Sequence, residues 1–241
     1  MHIAIVGAGR AGRSFALALE RVGHHVTLMH HDQLDALDHS PPPALVLLTV
    51  PDDTIGHVAS SIARRDTWVV AHAAGSRNLD VLAPHARVAS LHPLVPLPSS
   101  ERGAERLVGA TYSVAGDAVV DEVVRSLAGR TLRLSDEQRT AYHATAAVAA
   151  NHLVALMGHV DELARAAGLR LEDFLPLAHL ALCDVDELGP HGALTGPASR
   201  ADMATIDAHL SAIPEAERST YVAMANAAFE LAERRRSQMP A

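Results

Sequence analysis

Short apolar runs alternate with helix-length stretches through the first half of the chain. The runs fall at 3–6, 25–29, 44–50, 67–71, 87–91, 111–115 and 131–134. Each is short, continuous and rich in Val, Ile, Leu and Ala, so each predicts a strand buried on both faces. Between the first two runs, 13–21 has helical spacing and stops at Gly23. Strands of this kind joined by helices predict an α/β fold, a doubly wound and mostly parallel sheet.

After residue 134 the pattern changes. Ser135 followed by Gln138 has the spacing of a capping box. From there to Gly168 nothing stronger than Gly158 interrupts an Ala- and Leu-rich stretch, which predicts one long helix. Further helices are predicted at 171–188, 201–213 and 214–236, with turns at Gly189-Pro190 and Gly196-Pro197. The reading divides the chain into an α/β domain, residues 1–134, and an all-helical domain, residues 135–241. Only seven aromatic residues occur, so packing is largely aliphatic. The Ala-rich helices suit either an intrachain core or a helix-on-helix contact between subunits.

Composition removes several chemistries. All 20 basic residues are arginine, so no lysine is available for a Schiff base or as a general acid. A formal charge of −8 argues against a broad nucleic-acid footprint. Cys183 is the single cysteine, which excludes an intrachain disulfide and reads as a small buried side chain. No apolar run has the length of a membrane span, and residues 1–7 lack a charged leader, so a cytoplasmic location is expected. The 16 histidines show no metal-binding spacing, and no metal site is expected.

Gly7-Ala8-Gly9-Arg10-Ala11-Gly12 follows the first strand and opens a helix. In that context G-x-G-x-x-G is a dinucleotide fingerprint: one glycine turns, one admits the pyrophosphate, one lets helix pack on strand. The helix N-terminus favours the anion. At the end of the second strand, where NAD enzymes place an acid, stands His30, followed by His31 and Asp32. That leans toward NADP, with Arg10, His30 or His31 near the 2′-phosphate; NAD stays possible through Asp32. Val50 and Pro51 follow the third strand and His72 ends the fourth, on the edge where such sheets hold ligands. Asp52 and Asp53 read chiefly as helix caps, and His92 ends the fifth strand on the same edge.

Residues 7–12, 50–55, 72–76, His92-Pro93-Leu94, 142–153, 194–200, Asp202 and His209-Leu210 together resemble the bacterial family of Rossmann-like proteins that carry domain of unknown function 2520. More distantly, the chain is similar to the superfamily of ketopantoate, pyrroline-5-carboxylate and 6-phosphogluconate oxidoreductases. The resemblance implies a nicotinamide-binding domain, a helical domain that forms a homodimer, and a substrate site in the cleft between domains. It also implies a link to pantothenate synthesis, hence NADP-dependent reduction of a small 2-oxo acid such as ketopantoate. The familiar ketopantoate reductases use a lysine, which this chain lacks.

For the chemistry, His143 is the expected donor near the substrate, and Asn151 orients substrate or carboxamide. On a regular helix they would share a broad face, roughly 12 Å apart along the axis. Arg200 is expected to grip a substrate carboxylate, there being no lysine to do so. Ser199 and Asp202 have capping-box spacing. The rivals are an imine reductase of the pyrroline-5-carboxylate kind and a dinucleotide-binding sensor without catalysis.

Overall fold

The computed structural model describes residues 1–38 and 41–238. It divides into two compact units, Met1–Ala150 and Asn151–Ala241.

All seven predicted strands form in the first unit: β1 (His2–Val6), β2 (His25–Met29), β3 (Leu45–Leu48), β4 (Val69–His72), β5 (Val88–Pro93), β6 (Thr111–Gly116) and β7 (Arg130–Arg133). Their order is β2-β1-β3-β4-β5-β6-β7. The first five run parallel, β6 is antiparallel to β5, and β7 is parallel to β6. The carboxyl ends of β1 to β5 therefore share one edge. The chain turns one way from β1 to β2 and the other way to β3, which makes the β1/β3 boundary the switch point of the sheet.

The helices of this unit are α1 (Arg10–Arg21), α2 (Ile55–Ser61), α3 (Ser100–Leu107), α4 (Val119–Ser126) and α5 (Asp136–Ala147). Strand residues alternate between two cores. On one face Ile3, Ile5, Leu47 and Leu91 pack with Phe15 and Leu19 of α1, Leu107 of α3 and Val123 of α4. On the other, Ala4, Val6, Val46 and Val70 pack with Ile55 and Val58 of α2, Trp68 and Leu82. α1 ends where Gly23, at φ +87°, turns the chain, and its N–H donates to the Glu20 carbonyl at 3.0 Å. At α5 the predicted cap forms: the Ser135 N–H donates to Gln138 Oε1 at 3.0 Å.

The expected single long helix does not form. α5 passes into a π-helical turn at Val148–His152, and α6 (Leu153–Ala166) follows. One extra residue per turn there displaces the faces that regular spacing would align, so the common face predicted for His143 and Asn151 does not follow. Residue 135 was the expected start of the helical domain; α5 instead lies in the unit with the sheet.

The second unit contains α6, α7 (Leu175–Ala193), α8 (Gly196–Ser199), α9 (Met203–Ala212) and α10 (Arg218–Gln238). The expected turn at Gly189-Pro190 is a kink within α7, where Gly189 has φ +69°. Cys183 is exposed, against the expectation of burial, because α7 has no buried residue.

Candidate functional site

The glycine turn at the switch point is built by close packing. Gly7 has φ +116°, and its N–H donates to the Met29 carbonyl at 2.9 Å. A Cβ there would stand 2.8 Å from the carbonyl carbon of Thr49. A Cβ on Gly12 would collide with the Gly7 carbonyl oxygen and come within 2.7 Å of Thr49 Oγ1. Gly9 is different: a Cβ there would meet nothing within 4 Å. Gly9 caps α1 through extended backbone without any side-chain cap, so the open space lies beside the helix N-terminus. The first N–H groups of a helix have no intrahelical acceptor, and this one is fit to receive an anion.

Thr49, which the sequence reading did not single out, pins this turn. Its hydroxyl donates to the Gly7 carbonyl at 2.8 Å. Arg10 is exposed at the first position of α1, and His30 and His31 are exposed immediately after β2. The Gly7–Met29 hydrogen bond ties the end of β2 to the glycine turn. Val50 and Pro51 follow Thr49 on the same edge.

Asp52 and Asp53 do not cap α2, contrary to expectation. Thr54 occupies the N-cap position without a side-chain cap. Asp52 Oδ2 instead accepts a hydrogen bond from Ser76 Oγ at 2.7 Å, joining the loops that follow β3 and β4.

Beneath the same edge lies a polar patch. His72 and Ser90 are register partners on β4 and β5, and His92 and Ser113 are partners on β5 and β6. Residues two apart on a strand share a face, so all four lie on one side of the sheet. α5 brings Arg139 and Tyr142 to this patch. Arg139 is 0% exposed; its Nη2 donates to Ser90 Oγ at 3.2 Å. Its nearest carboxylate, Asp136, lies 3.8 Å from Nε and is more than half exposed. Among the described residues, Arg139 Nε and Nη1, both ring nitrogens of His72 and the Ser113 hydroxyl have no hydrogen-bond partner. Leaving such groups unpaired is costly, about 1–3 kcal/mol each and more for a charge.

His72 was expected at the edge as a cofactor contact, but its side chain is wholly buried beneath the edge. Burial, and then the charge of Arg139, lower its pKa to about 4. His92 Nδ1 and the Tyr142 hydroxyl are hydrogen-bonded at 2.9 Å. Burial, then His143, lower the pKa of His92 to about 4, opposed by the Asp52 carboxylate. Both rings are therefore neutral at pH 7. Burial raises the pKa of Tyr142, while the neighbouring Ser113 hydroxyl and then the charge of Arg139 pull it the other way.

His143 is exposed, with its ring centroid 6.3 Å from that of His92 in an edge-on arrangement. Tyr142 meets the same ring edge-on at 5.7 Å. Two successive residues of α5 thus converge on one histidine. Gly75 makes room for this: a Cβ there would lie 2.8 Å from His143 Cδ2 and 2.9 Å from His92 Nε2. Arg139 and Tyr142 were not singled out as functional. A polar first turn of a helix reads as solvated, and only the serines at inward strand positions hinted that something polar covers them.

In the second unit, Asn151 is exposed within the π-helical turn. Arg200 is exposed between α8 and α9. Asp202 does not complete a box begun at Ser199. It is itself the N-cap of α9, accepting from the Thr205 N–H at 3.1 Å, while Ser199 Oγ donates to the Gly196 carbonyl at 2.8 Å. Hydrogen bonds from the Thr205 hydroxyl, at 2.7 Å, and then from the Thr205 N–H lower the pKa of Asp202. No group of three or more His, Cys, Asp or Glu suited to a metal ion occurs among the described residues. No helix there is long and apolar enough to cross a membrane.

The fold is shared with proteins of known structure. An oxidoreductase from Bacteroides fragilis, provisionally described as NADP-dependent, superposes with a TM-score of 0.79 at 22% identity, over 95% of this chain and 98% of that one. A Thermotoga maritima protein does so with a TM-score of 0.73 at 21% identity, over 97% and 99%. Likeness at such identities shows the fold: a Rossmann-like sheet with a helical C-terminal region. In sequence, the glycerol-3-phosphate dehydrogenase [NAD(P)+] of Klebsiella pneumoniae is 31% identical over 136 residues, 54% of this chain. The match spans only 37% of that enzyme's length. Residues 108–228, from the approach to β6 through most of α10, match the family described as Domain of unknown function (DUF2520), and with half its length so matched the chain belongs to that family.

Proposed function

We propose that this protein is an NADP-dependent oxidoreductase that reduces a small 2-oxo acid of the ketopantoate type. The observation that carries the reading is the glycine corner. Gly7 and Gly12 are locked against Thr49 and each other, while the space over Gly9 at the N-terminus of α1 is open. That combination fits a diphosphate, in both charge and room. The Bacteroides protein's description and the Klebsiella enzyme's name support the cofactor class.

In this reading the N–H groups at Gly9, Arg10, Ala11 and Gly12 hold the diphosphate. Arg10, His30 and His31 surround the 2′-phosphate of NADP, and Val50, Pro51 and the loop after His72 border the nicotinamide end. When bound, the dinucleotide supplies a hydride. His143 hydrogen-bonds the substrate carbonyl oxygen, Arg200 grips the carboxylate and Asn151 orients an amide or the substrate. The buried Arg139 charge favours a substrate that gains negative charge on oxygen over a cationic iminium, so carbonyl reduction is preferred to imine reduction.

The second unit is proposed to pair with a second copy of this chain. α7 exposes Leu177 at 66%, Leu180 at 62% and Leu188 at 62%, whose spacing puts them on one face of the helix. An exposed apolar stripe of this kind suits a contact with another apolar surface.

NADPH and NADH titrations against the Trp68 fluorescence test the cofactor; NADPH is expected to bind more tightly, and equal or weaker binding overturns the NADP assignment. NADPH oxidation with a panel of 2-oxo acids and cyclic imines tests the reaction. Tight NADPH binding with no turnover on either class leaves a dinucleotide sensor. Arg200→Ala is expected to raise KM for the acid strongly; an unchanged KM removes Arg200 from the site.

A further inference from the structure

The polar patch under α5 contains a buried cation with almost nothing to neutralise it. Arg139 has one hydrogen bond, to Ser90, and one long ion pair to an exposed carboxylate. A buried charge without a close partner is strongly destabilising. The surrounding groups supply no anion. His72 and His92 are neutral at pH 7, and Ser90 and Ser113 are hydroxyls. The phenol of Tyr142 meets Arg139 and His92, and the further titratable and charged groups around those two are Asp136 and His143 on α5, His72 on β4 and Asp52 in the loop after β3. Of these, Asp52 is engaged by Ser76 and Asp136 faces solvent. The group in the patch able to become an anion beside Arg139 is the phenol of Tyr142.

We propose that Tyr142 is the proton donor to the substrate carbonyl, that His92 restores its proton, and that Arg139 steadies the phenolate formed between those events. This rests on the oxidoreductase reading above and supplies the proton that reading leaves unassigned. The carbonyl carbon accepts a hydride, of the class that a dihydronicotinamide provides, and the carbonyl π electrons move to oxygen. That oxygen takes the Tyr142 hydroxyl proton, giving an alcohol and a phenolate. His92 passes its Nδ1 proton to the phenolate along the 2.9 Å contact while Nε2 takes one from solvent. The imidazole ends neutral in its other tautomer, and one solvent proton has been consumed. His143 keeps its place as the hydrogen-bond donor that holds the carbonyl oxygen.

Tyr142→Phe removes one oxygen and keeps the ring against His92. With a 2-oxo acid that the native enzyme turns over, kcat is expected to fall about 10²–10⁴-fold, the usual contribution of a positioned proton donor, with KM and NADPH affinity nearly unchanged. A kcat within about threefold of native overturns the donor role while leaving the oxidoreductase reading intact. Absence of any native turnover despite NADPH binding overturns both. A second readout needs no turnover: the ionisation of Tyr142, followed by ultraviolet difference titration against Tyr142→Phe. Arg139→Met is expected to move that ionisation to higher pH, and Arg139→Lys to leave it near the native value. Should Arg139→Met not fold, solvent exchange of the His92 ring protons by NMR decides: Tyr142→Phe is expected to abolish the hydrogen-bonded Nδ1 signal. An unmoved titration or an unchanged His92 signal overturns the proposal.

Discussion

The two units of this molecule bury their apolar side chains very differently. In Met1–Ala150 helices close both faces of the sheet except at the edge strand β7, which is exposed along its length against the expectation of burial, and leucines such as Leu45, Leu47, Leu48 and Leu91 have no exposure at all. In Asn151–Ala241 the buried apolar residues are few and small, Ala164, Ala198, Ala232 and the larger Ile206, while Leu177, Leu180 and Leu188 stand open. The first unit is sealed and its surplus is polar; the second is unsealed and its surplus is apolar. Each surplus marks what the unit lacks. The polar patch under α5 wants negative charge, and the α7 surface wants another apolar surface.

The strongest way to break this contrast is to charge α7. Burying a leucine is worth about 2 kcal/mol. In a two-fold interface the change counts twice, so Leu180→Arg is expected to weaken the proposed dimer about 10³-fold. Sedimentation velocity of native and variant protein checks it, and a native protein that is monomeric, or a variant that stays associated, removes α7 from any interface. The exposed Cys183 lies on the same helix. A dimer through α7 is expected to slow its reaction with a bulky thiol reagent, and Leu180→Arg to restore it.

Acid is the next largest lever, and it acts on the sealed unit. His72 has a pKa of about 4 when folded and the ordinary value of about 6.5 when unfolded. The unfolded chain therefore takes up the proton first as pH falls. Stability from this group is complete above about pH 6.5, declines between there and pH 4, and is constant below. Its size is at most about 3 kcal/mol. His92, partly exposed, adds less in the same window. Chemical denaturation at pH 7 and pH 4.5, repeated on His72→Phe, measures it; a variant with the same pH slope as native protein sinks the assignment.

How much of this was legible depended on where the information is stored. The strands could be read because parallel strands covered on both faces are continuous apolar runs, and 45–48 and 69–72 leave little else to be. The glycine corner could be read because its constraint is local: three glycines at fixed spacing between a strand and a helix. The patch under α5 could not, because its meaning is tertiary. Arg139 sits in an unremarkable polar stretch, Asp136-Glu137-Gln138-Arg139, and only the sheet's register sets it against Ser90. His72 and His92 were visible as strand-ending histidines, yet nothing in the sequence said that one was buried and unpaired while the other was bonded to Tyr142. The π-helical turn at 148–152 hid for a related reason. Its residues, Val-Ala-Ala-Asn-His, are ordinary helix formers, and the extra residue per turn leaves no compositional mark.

Two glycines three positions apart in the same motif, Gly9 and Gly12, sharpen the contrast most finely, since one is open and the other sealed. Gly12 has a Cβ position that collides with the Gly7 carbonyl and crowds Thr49. Gly12→Ala must push α1 away from the turn, an overpacking expected to cost about 1–3 kcal/mol. It would disturb the cofactor only through that displacement. At Gly9 the same methyl group meets empty space. Gly9 also has φ −74°, which any residue adopts, so Gly9→Ala is expected to leave stability within about 0.5 kcal/mol of native. The methyl nevertheless stands in the space assigned to the diphosphate, and NADPH affinity is expected to fall about tenfold or more, the loss of roughly 1.4 kcal/mol of binding. Thermal denaturation without nucleotide, paired with NADPH titration, separates the two effects. Stability lost at Gly12 and affinity lost at Gly9 is the pattern that a nucleotide corner requires. A Gly9→Ala protein that binds NADPH as native protein does would place the diphosphate elsewhere, however well the motif matches.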